Sequence, residues 1–366
     1  MSKRYFPEKI DQIFFGAEKI TAEPYGSGHI HDTYLVEVEG KKEKYILQRM
    51  NSHVFPNGKI VMENIIQVTE FLREKMRNTG RDLSREVLSV IPTAQAEPYY
   101  VDEDGKYWRN YLFIQDTDTI QLPEKAQQFY EAAKAFGDFQ MLLIDYPAHT
   151  LHETIKDFHN TPVRVAQLEE AIQKADPKRL EKAADEIAFA KKRYEKADIL
   201  VKKLESGELP LRVTHNDTKL NNVLMDKATG KGICVIDLDT VMPGLTAYDF
   251  GDAIRFGANT AEEGEDDVTK VSLNLDFYEA FTKGFLEKTA DVLSEEEIAS
   301  LPLGAMIITY EIGLRFLADY LNGDVYFKIH HPEENRIRAR NQFALMKDME
   351  DKMDQMQGMM DKYSKG

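Results

Sequence analysis

Residues 213–240 read VTHNDTKLNNVLMDKATGKGICVIDLDT, and the reading of that stretch decides how the rest of the chain is organised. It sets His215, Asp217, Lys219 and Asn222 in a short polar loop, followed by a turn rich in charge and glycine at 226–232. An apolar strand, 233–236, then runs into Asp237. Those residue types, in that order, are what phosphoryl transfer from a nucleotide requires. Asp217 can orient an attacking hydroxyl and accept its proton, and Lys219 can neutralise the transferred group. Asn222 and Asp237 can hold a divalent metal on the phosphates. A carboxylate closing a buried strand is costly without a partner, and a bound cation removes that cost. Asp239, two residues on, points to the same side and could share the metal or replace it. His215, just before the loop, is expected to fix its shape by hydrogen bonds to backbone. The competing readings are an Asx-turn for Asp217, a turn role shared by Asn221 and Asn222, and a solvated loop lysine at Lys219.

Working N-terminally, the pattern is sheet-like. A short amphipathic helix before residue 20 would bury Ile10, Ile13, Phe14 and Phe15. Strands follow at 34–38 and 44–50 around a turn at 40–42, then at 86–90, 98–101 and 108–114, giving five strands before residue 116. Gly26 and Gly28 would let backbone N–H groups approach a phosphate, though a lone GxG also suits an ordinary hairpin turn. Arg49 shares a strand face with Leu47 and is expected to reach the nucleotide phosphates, unless it is a solvated strand arginine. The helix at 59–77 carries Glu63 and Glu70, and Glu63 is the expected partner of Arg49. The segment 112–115, ending at Gln115, would offer backbone groups to the adenine edge.

C-terminally the period becomes helical. Ala132, Ala135, Phe136, Phe139, Leu142 and Leu143 recur at three and four, as a buried helix requires. Charge-laced helices fill 163–207, broken near Asp176-Pro177. Further helices are expected at 272–290, 294–300, 304–321 and 333–365, the last with a methionine stripe packed on its own lobe. The expected architecture is α+β: a small β-rich lobe, 1–116, that binds nucleotide, and a large helical lobe, 117–366, that carries catalysis and substrate.

The chain has 366 residues, 42% hydrophobic, with 63 acidic against 47 basic residues and a formal charge of −16. That length suits two cores. The negative balance argues against nucleic acid or an anionic membrane as partner, since both reward clustered Lys and Arg. The single cysteine, Cys234, lies in the apolar strand and can form no disulfide within the chain, which fits a reducing compartment. The N-terminus lacks a signal-peptide core, and the most apolar helical stretch, 301–310, is short of a membrane span. A cytoplasmic, monomeric protein is expected.

At these residues a family resemblance enters. HNDTKLNN is similar to the catalytic loop of the aminoglycoside phosphotransferase and choline kinase superfamily, IDLD to its metal-binding motif, and YDFGDAIR to the helix that follows. The resemblance covers nearly the whole chain. It implies a protein-kinase-like fold with ATP and Mg2+ in the cleft between two lobes, and a structural role for Asp249 bracing the catalytic loop. One departure is LQRM, which places Arg49 where many relatives carry lysine; the two are not interchangeable. YILQRMN, THNDTKLNNVL, VIDLDTVMPG and YEIGLRFLADYLNGDVYFK resemble the N-acetylhexosamine 1-kinases, which phosphorylate the anomeric hydroxyl of N-acetylglucosamine and N-acetylgalactosamine. Carried over by motif, Arg315 and Tyr326 would contact sugar hydroxyls, Phe256 would line the sugar pocket, and His31 would face the sugar.

Alternatives stay open at this level. Arg315 lies four residues after Glu311 and four before Asp319, so a helix ion pair explains it equally well. Another acceptor, such as an aminoglycoside, choline or homoserine, would keep the chemistry; the acids at 262–267 could cage a cationic one. A pseudokinase is disfavoured because Asp217, Asn222 and Asp237 are all present.

Overall fold

The computed structural model describes residues 9–26 and 30–364, so Gly28 and the first eight residues lie outside them. α1 (Ile10–Phe15) precedes β1 (Ile20–Pro24), β2 (Asp32–Val38), β3 (Lys44–Arg49) and α2 (Gly58–Met76). β4 (Val90–Ile91), β5 (Tyr100–Val101) and β6 (Tyr107–Leu112) complete one antiparallel sheet in the order β1-β2-β3-β6-β4, with β5 also on β6. Two-residue periodicity gives this sheet two different faces. Tyr34, Val36, Leu47 and Trp108 pack with Ile10, Phe14 and Phe15 of α1 in a small outer core. Thr33, Gln48 and Arg109, in register across β2, β3 and β6, face the other way, into a cleft.

Two expectations are corrected in this lobe. The strand foreseen at 86–90 shrinks to Val90–Ile91, because the Arg73 guanidinium takes the carbonyls of Val87 and Leu88 (3.3 and 3.4 Å) while both side chains enter the core. β1 is also a separate strand, so the sheet has six.

β7 (Thr117–Asp118) leads to α3 (Ala126–Leu142), α4 (Thr161–Lys174), α5 (Pro177–Lys182), α6 (Ala184–Lys191) and α7 (Ile199–Glu205). Pro177 at the start of α5, with Asp176 capping Lys178 N–H at 2.8 Å, makes the expected break. β8 (Arg212–Thr214), β9 (Val223–Asp226), β10 (Gly232–Val235) and β11 (Met242–Gly244) form two small ribbons, β10-β9-β7 and β11-β8. α8 (Thr246–Gly257), α9 (Leu275–Thr289), α10 (Glu295–Leu321), α11 (Glu334–Asp351) and α12 (Met353–Ser364) follow.

α10 runs 27 residues unbroken where two shorter helices were expected. A Ser294–Glu297 capping box starts it, and it passes through Pro302. Proline forfeits one i→i−4 bond, but burial along most of the helix outweighs that loss. By length and hydropathy α10 could cross a membrane, yet 78% of its apolar window is buried inside this protein, as a core helix would be. Gly251 of α8 and Gly304 of α10 meet backbone to backbone, and a Cβ on either would overlap the facing chain. That close approach fixes α8 beneath the 215–222 loop. Met346, Met349, Met356 and Met360 are buried in the main core.

Candidate active site

The 215–222 loop is held from below by two carboxylates of α8. Asp249 accepts the N–H groups of His215 (2.9 Å) and Asn216 (2.7 Å), and Asp252 accepts that of Thr218 (2.9 Å). Spaced three apart on one helical face, they reach successive amides, and Asn216 adopts a left-handed φ of 65° to suit. Burial raises the Asp249 carboxyl above its usual range, against the pull of those amides and of Gln140. His215 donates from Nε2 to Ile236 O at 2.9 Å and accepts Asp217 N–H on Nδ1 at 3.3 Å, so its ring joins the loop to the end of β10.

Asp217 turns upward. Lys219 Nζ lies 2.7 Å from one carboxylate oxygen, and Asn222 Nδ2 donates to the other at 3.2 Å and to Asp217 O at 2.8 Å. Burial would lift this carboxyl, but Lys219, with His215 and Arg255, holds it below the usual range. Lys219 is raised in turn by Asp217.

Asp237 sits across from them with a left-handed φ of 61°, and its carboxylate accepts no hydrogen bond among the described residues. Protein surrounds it, yet solvent reaches it through the cleft mouth. Burial, then the charges of Asp239 and Asp217, push its carboxyl above the usual range. An undonated carboxylate beside two others and the Asn222 amide fits a divalent cation.

Asp239 is in the opposite position. Arg109 clasps it with both terminal nitrogens, one bond at 3.0 Å, and His31 Nε2 donates to it at 2.5 Å. The Arg109 guanidinium, then His31, overcome burial and hold it well below the usual range. It is held in an ion pair, yet ligand atoms of Asp239, Asp237 and His31 all lie within 4.8 Å of one another, a spacing at which a metal ion could be shared. For His31 the expectation of facing a sugar is corrected: Nε2 is on Asp239 and Nδ1 accepts Asn51 N–H (3.0 Å), so neither ring nitrogen faces an acceptor.

Above the loop, a cavity of about 520 Å³ separates the sheet from β9 and β10. Ile46, Leu88, Leu224 and Ile236 give it apolar walls, and Asn222, Asp237, Gln48 and Arg109 a polar end. Gly26 lines its mouth with φ 75°, a conformation that favours glycine. Two expectations fail here. Arg49 does share Leu47's face, but that face is the outer one; it bonds Asp32 (2.9 Å) and lies over Trp108. Glu63 meets Lys59 and His152, not Arg49. Leu112, Phe113 and Ile114 line the cavity, whereas the Gln115 side chain turns away to Lys42 O (3.1 Å). Gln48 and Arg109, the polar side chains that do face inward from the sheet, escaped the sequence reading. Counting by twos from Ile46, or asking why an arginine interrupts the apolar run 107–113, would have found them.

On the far side, Phe256 lies 6.0 Å from Lys219 Nζ. Arg315 is ringed by Phe158, Tyr326 and Phe327, with ring centres 5.4–5.9 Å from its guanidinium. The helix ion pair does not form: Glu311 bonds His159 (2.9 Å) and Thr161 (2.7 Å), and Asp319 is taken by backbone amides. No carboxylate lies within 4 Å of Arg315 among the described residues. His159, next to Phe158, reaches back to Asn216 O at 3.4 Å, connecting this end to the Asp217 loop.

The same arrangement of lobes occurs in solved structures. A choline kinase from Cryptosporidium parvum Iowa II is 16% identical over 95% of this chain and 94% of that one, with a TM-score of 0.55. An aminoglycoside phosphotransferase from Alicyclobacillus acidocaldarius is 11% identical over 97% and 98%, with a TM-score of 0.60. A spectinomycin phosphotransferase solved with ADP and spectinomycin is 13% identical over 92% and 93%, at 0.56. Such identities speak for the fold, a kinase-like pair of a small antiparallel sheet lobe and a helical lobe. A family model, described as the phosphotransferase enzyme family, matches residues 21–281, most of the chain and all of the 213–240 stretch. This chain belongs to the phosphotransferase enzyme family.

Proposed function

We propose that this enzyme transfers the γ-phosphoryl group of ATP to the anomeric hydroxyl of an N-acetylhexosamine, giving the sugar 1-phosphate. Asp217 and Lys219 are the catalytic residues of this reading. Asp217 accepts a hydrogen bond from the acceptor hydroxyl and aims its oxygen at the γ-phosphorus. The new P–O bond forms as the bond to the β–γ bridging oxygen breaks; the proton passes to Asp217 and ADP leaves. A carboxylate held below its usual pKa is a weak base, so proton transfer comes late, as a loose phosphoryl transition state allows. Lys219 faces the transferred group as a point charge. Asn222 and Asp237 would hold Mg2+, which when bound neutralises phosphate charge. Ile46 and Leu88 sandwich the base, and Gly26 opens the turn over the phosphates. His215 and Asp249 brace the loop. We take the lobes to divide at 116/117 and the enzyme to act as a cytoplasmic monomer.

The observation that carries the acceptor assignment is Arg315, a half-buried guanidinium with aromatic neighbours and open donors. Donors beside aromatic rings suit the hydroxyl and carbonyl oxygens of a neutral sugar and repel a cationic amine. The acids that could have caged a cation are instead paired, Glu263 with Arg255 (3.0 Å), Glu265 with Lys270 (2.9 Å) and Asp266 with Arg340. The test is ATP consumption with N-acetylglucosamine, N-acetylgalactosamine, plain hexoses, choline and kanamycin, followed by phosphorus NMR of the product. Phosphate on the anomeric oxygen is expected; turnover with the amines alone would overturn the assignment. Asp217→Asn should lower kcat by about 10²–10⁴ with ATP affinity nearly kept.

A further inference from the structure

Asp319, near the end of α10, is 5% exposed and pairs with no cation among the described residues. Its carboxylate is spent on the backbone of the segment that follows. Oδ1 accepts the N–H groups of Val325 (3.0 Å) and Tyr326 (2.8 Å); Oδ2 accepts that of Phe327 (2.9 Å) and the Asn335 amide (2.9 Å). Asp324, at a left-handed φ of 60°, donates its N–H to Asp319 O (2.8 Å), and its own carboxylate holds Arg179 (2.6 Å) and Asn335 (2.9 Å). Four hydrogen bonds thus converge on one buried anion.

Phe327 packs half-buried on Phe316, but the two residues before it are not buried. Val325 is 74% and Tyr326 58% exposed. Ending α10 needs no such device, since Gly323 already supplies a residue with φ 94° beyond the helix. Burying an anion is expensive, and an exposed loop gains little from rigidity for its own sake. What the rigidity secures is the placing of Tyr326 and Phe327 beside Arg315, one turn earlier on α10. With no carboxylate to orient it, that guanidinium takes its direction from the rings around it.

We infer that Asp319 is a positioning residue for acceptor recognition: it acts through Tyr326 and Arg315 and touches no substrate. The inference rests on the acceptor assignment of the preceding section. Its consequence is a split in kinetics. Losing a fixed wall weakens acceptor binding and leaves the nucleotide half of the cleft alone.

The experiment is a double-mutant cycle on the full chain, with N-acetylglucosamine as acceptor. In Asp319→Asn an amide replaces one oxygen and faces Phe327 N–H and the Asn335 amide, donor against donor. Acceptor KM should rise about 10- to 100-fold, the scale of an ångström's misplacement, with ATP KM within about twofold. Tyr326→Ala should raise acceptor KM comparably, and the double variant should be no worse than the poorer single one. Additive effects, or equal losses in both KM values, would show that Asp319 serves only the fold. If Asp319→Asn does not fold, Arg179→Met, which frees Asp324 and the Tyr320 carbonyl but leaves the bonds of Asp319 in place, must give the same split at smaller size or the inference fails. A Tyr326→Ala variant with unchanged acceptor KM sinks the acceptor assignment and this inference together. Sensitivity at Tyr326 with none at Asp319 sinks this inference alone.

Discussion

Asp237 and Asp239 stand two residues apart with the same side chain and opposite electrostatic surroundings. Asp237 has two carboxylates for neighbours and no donor among the described residues; Asp239 has a guanidinium and an imidazole. Removing one partner of a buried pair leaves the other as an uncompensated charge, which costs about 3–5 kcal/mol. Arg109→Met should therefore destabilise the protein by that order in urea denaturation, and adding Asp239→Asn should recover part of the loss. Arg49→Met, on the outer face over Trp108, should leave ATP KM within about twofold, whereas Gln48→Ala, on the cleft face, should raise it. A larger ATP defect at Arg49 than at Gln48 would restore the original assignment of that strand. The misplacement was a matter of phase. Alternation in YILQRM tells which residues share a face, and it paired Arg49 with Leu47 correctly. It does not tell which face meets the cleft, because both faces of this sheet are covered, one by α1 and one by the rest of the molecule.

At the scale of elements, α10 carries Arg315, and Glu311 ties it to the 158–161 segment. Burial would raise this carboxyl, but His159 and Thr161, then Arg315, hold it below the usual range. A carboxyl depressed in the folded state adds stability above its unfolded pKa and loses it as pH falls through the folded one. The contribution is thus complete at neutral pH and fades below about pH 4.5, the ordinary glutamate value. Glu311→Gln should cost more stability at pH 7 than at pH 4, measured by urea midpoints at both. An equal cost at both would mean the carboxylate charge does not matter to the fold. The polar loop and the hairpin of β9 and β10 were readable because turn residues and periodicity are local signals. The unbroken course of α10 through Pro302 was not, since it depends on burial from helices distant in sequence. Asp252 was missed for a related reason: its partner, the amide of Thr218, lies 34 residues away.

The whole molecule is two lobes joined by polar ties, several of them buried. Asn64 of α2 bonds Val241 O (2.9 Å) and His152 O (2.8 Å), Arg109 and His31 meet Asp239, and Arg85 meets Asp226 at 2.9 Å. The two-lobed α+β plan was legible from the order of strand-like and helix-like segments, but none of these ties was, because each joins residues far apart in the chain. Three of them, Asn64 to Val241 O and Arg109 and His31 to Asp239, reach the 237–241 segment that carries Asp237, so a ligand there stabilises the joint itself. At a nucleotide concentration of about 100 times Kd, linkage alone adds about 2.7 kcal/mol. A nonhydrolysable ATP analogue should therefore raise the melting temperature, and more with Mg2+ than without. Asp237→Asn should change two things in opposite directions. The free protein should become more stable, since a neutral amide removes repulsion with Asp217 and Asp239. The extra shift due to Mg2+ should disappear, since the site has lost its undonated carboxylate. A variant that is less stable when free and still responds to Mg2+ would place the cation elsewhere, and would return Asp237 to the role of a strand-ending residue.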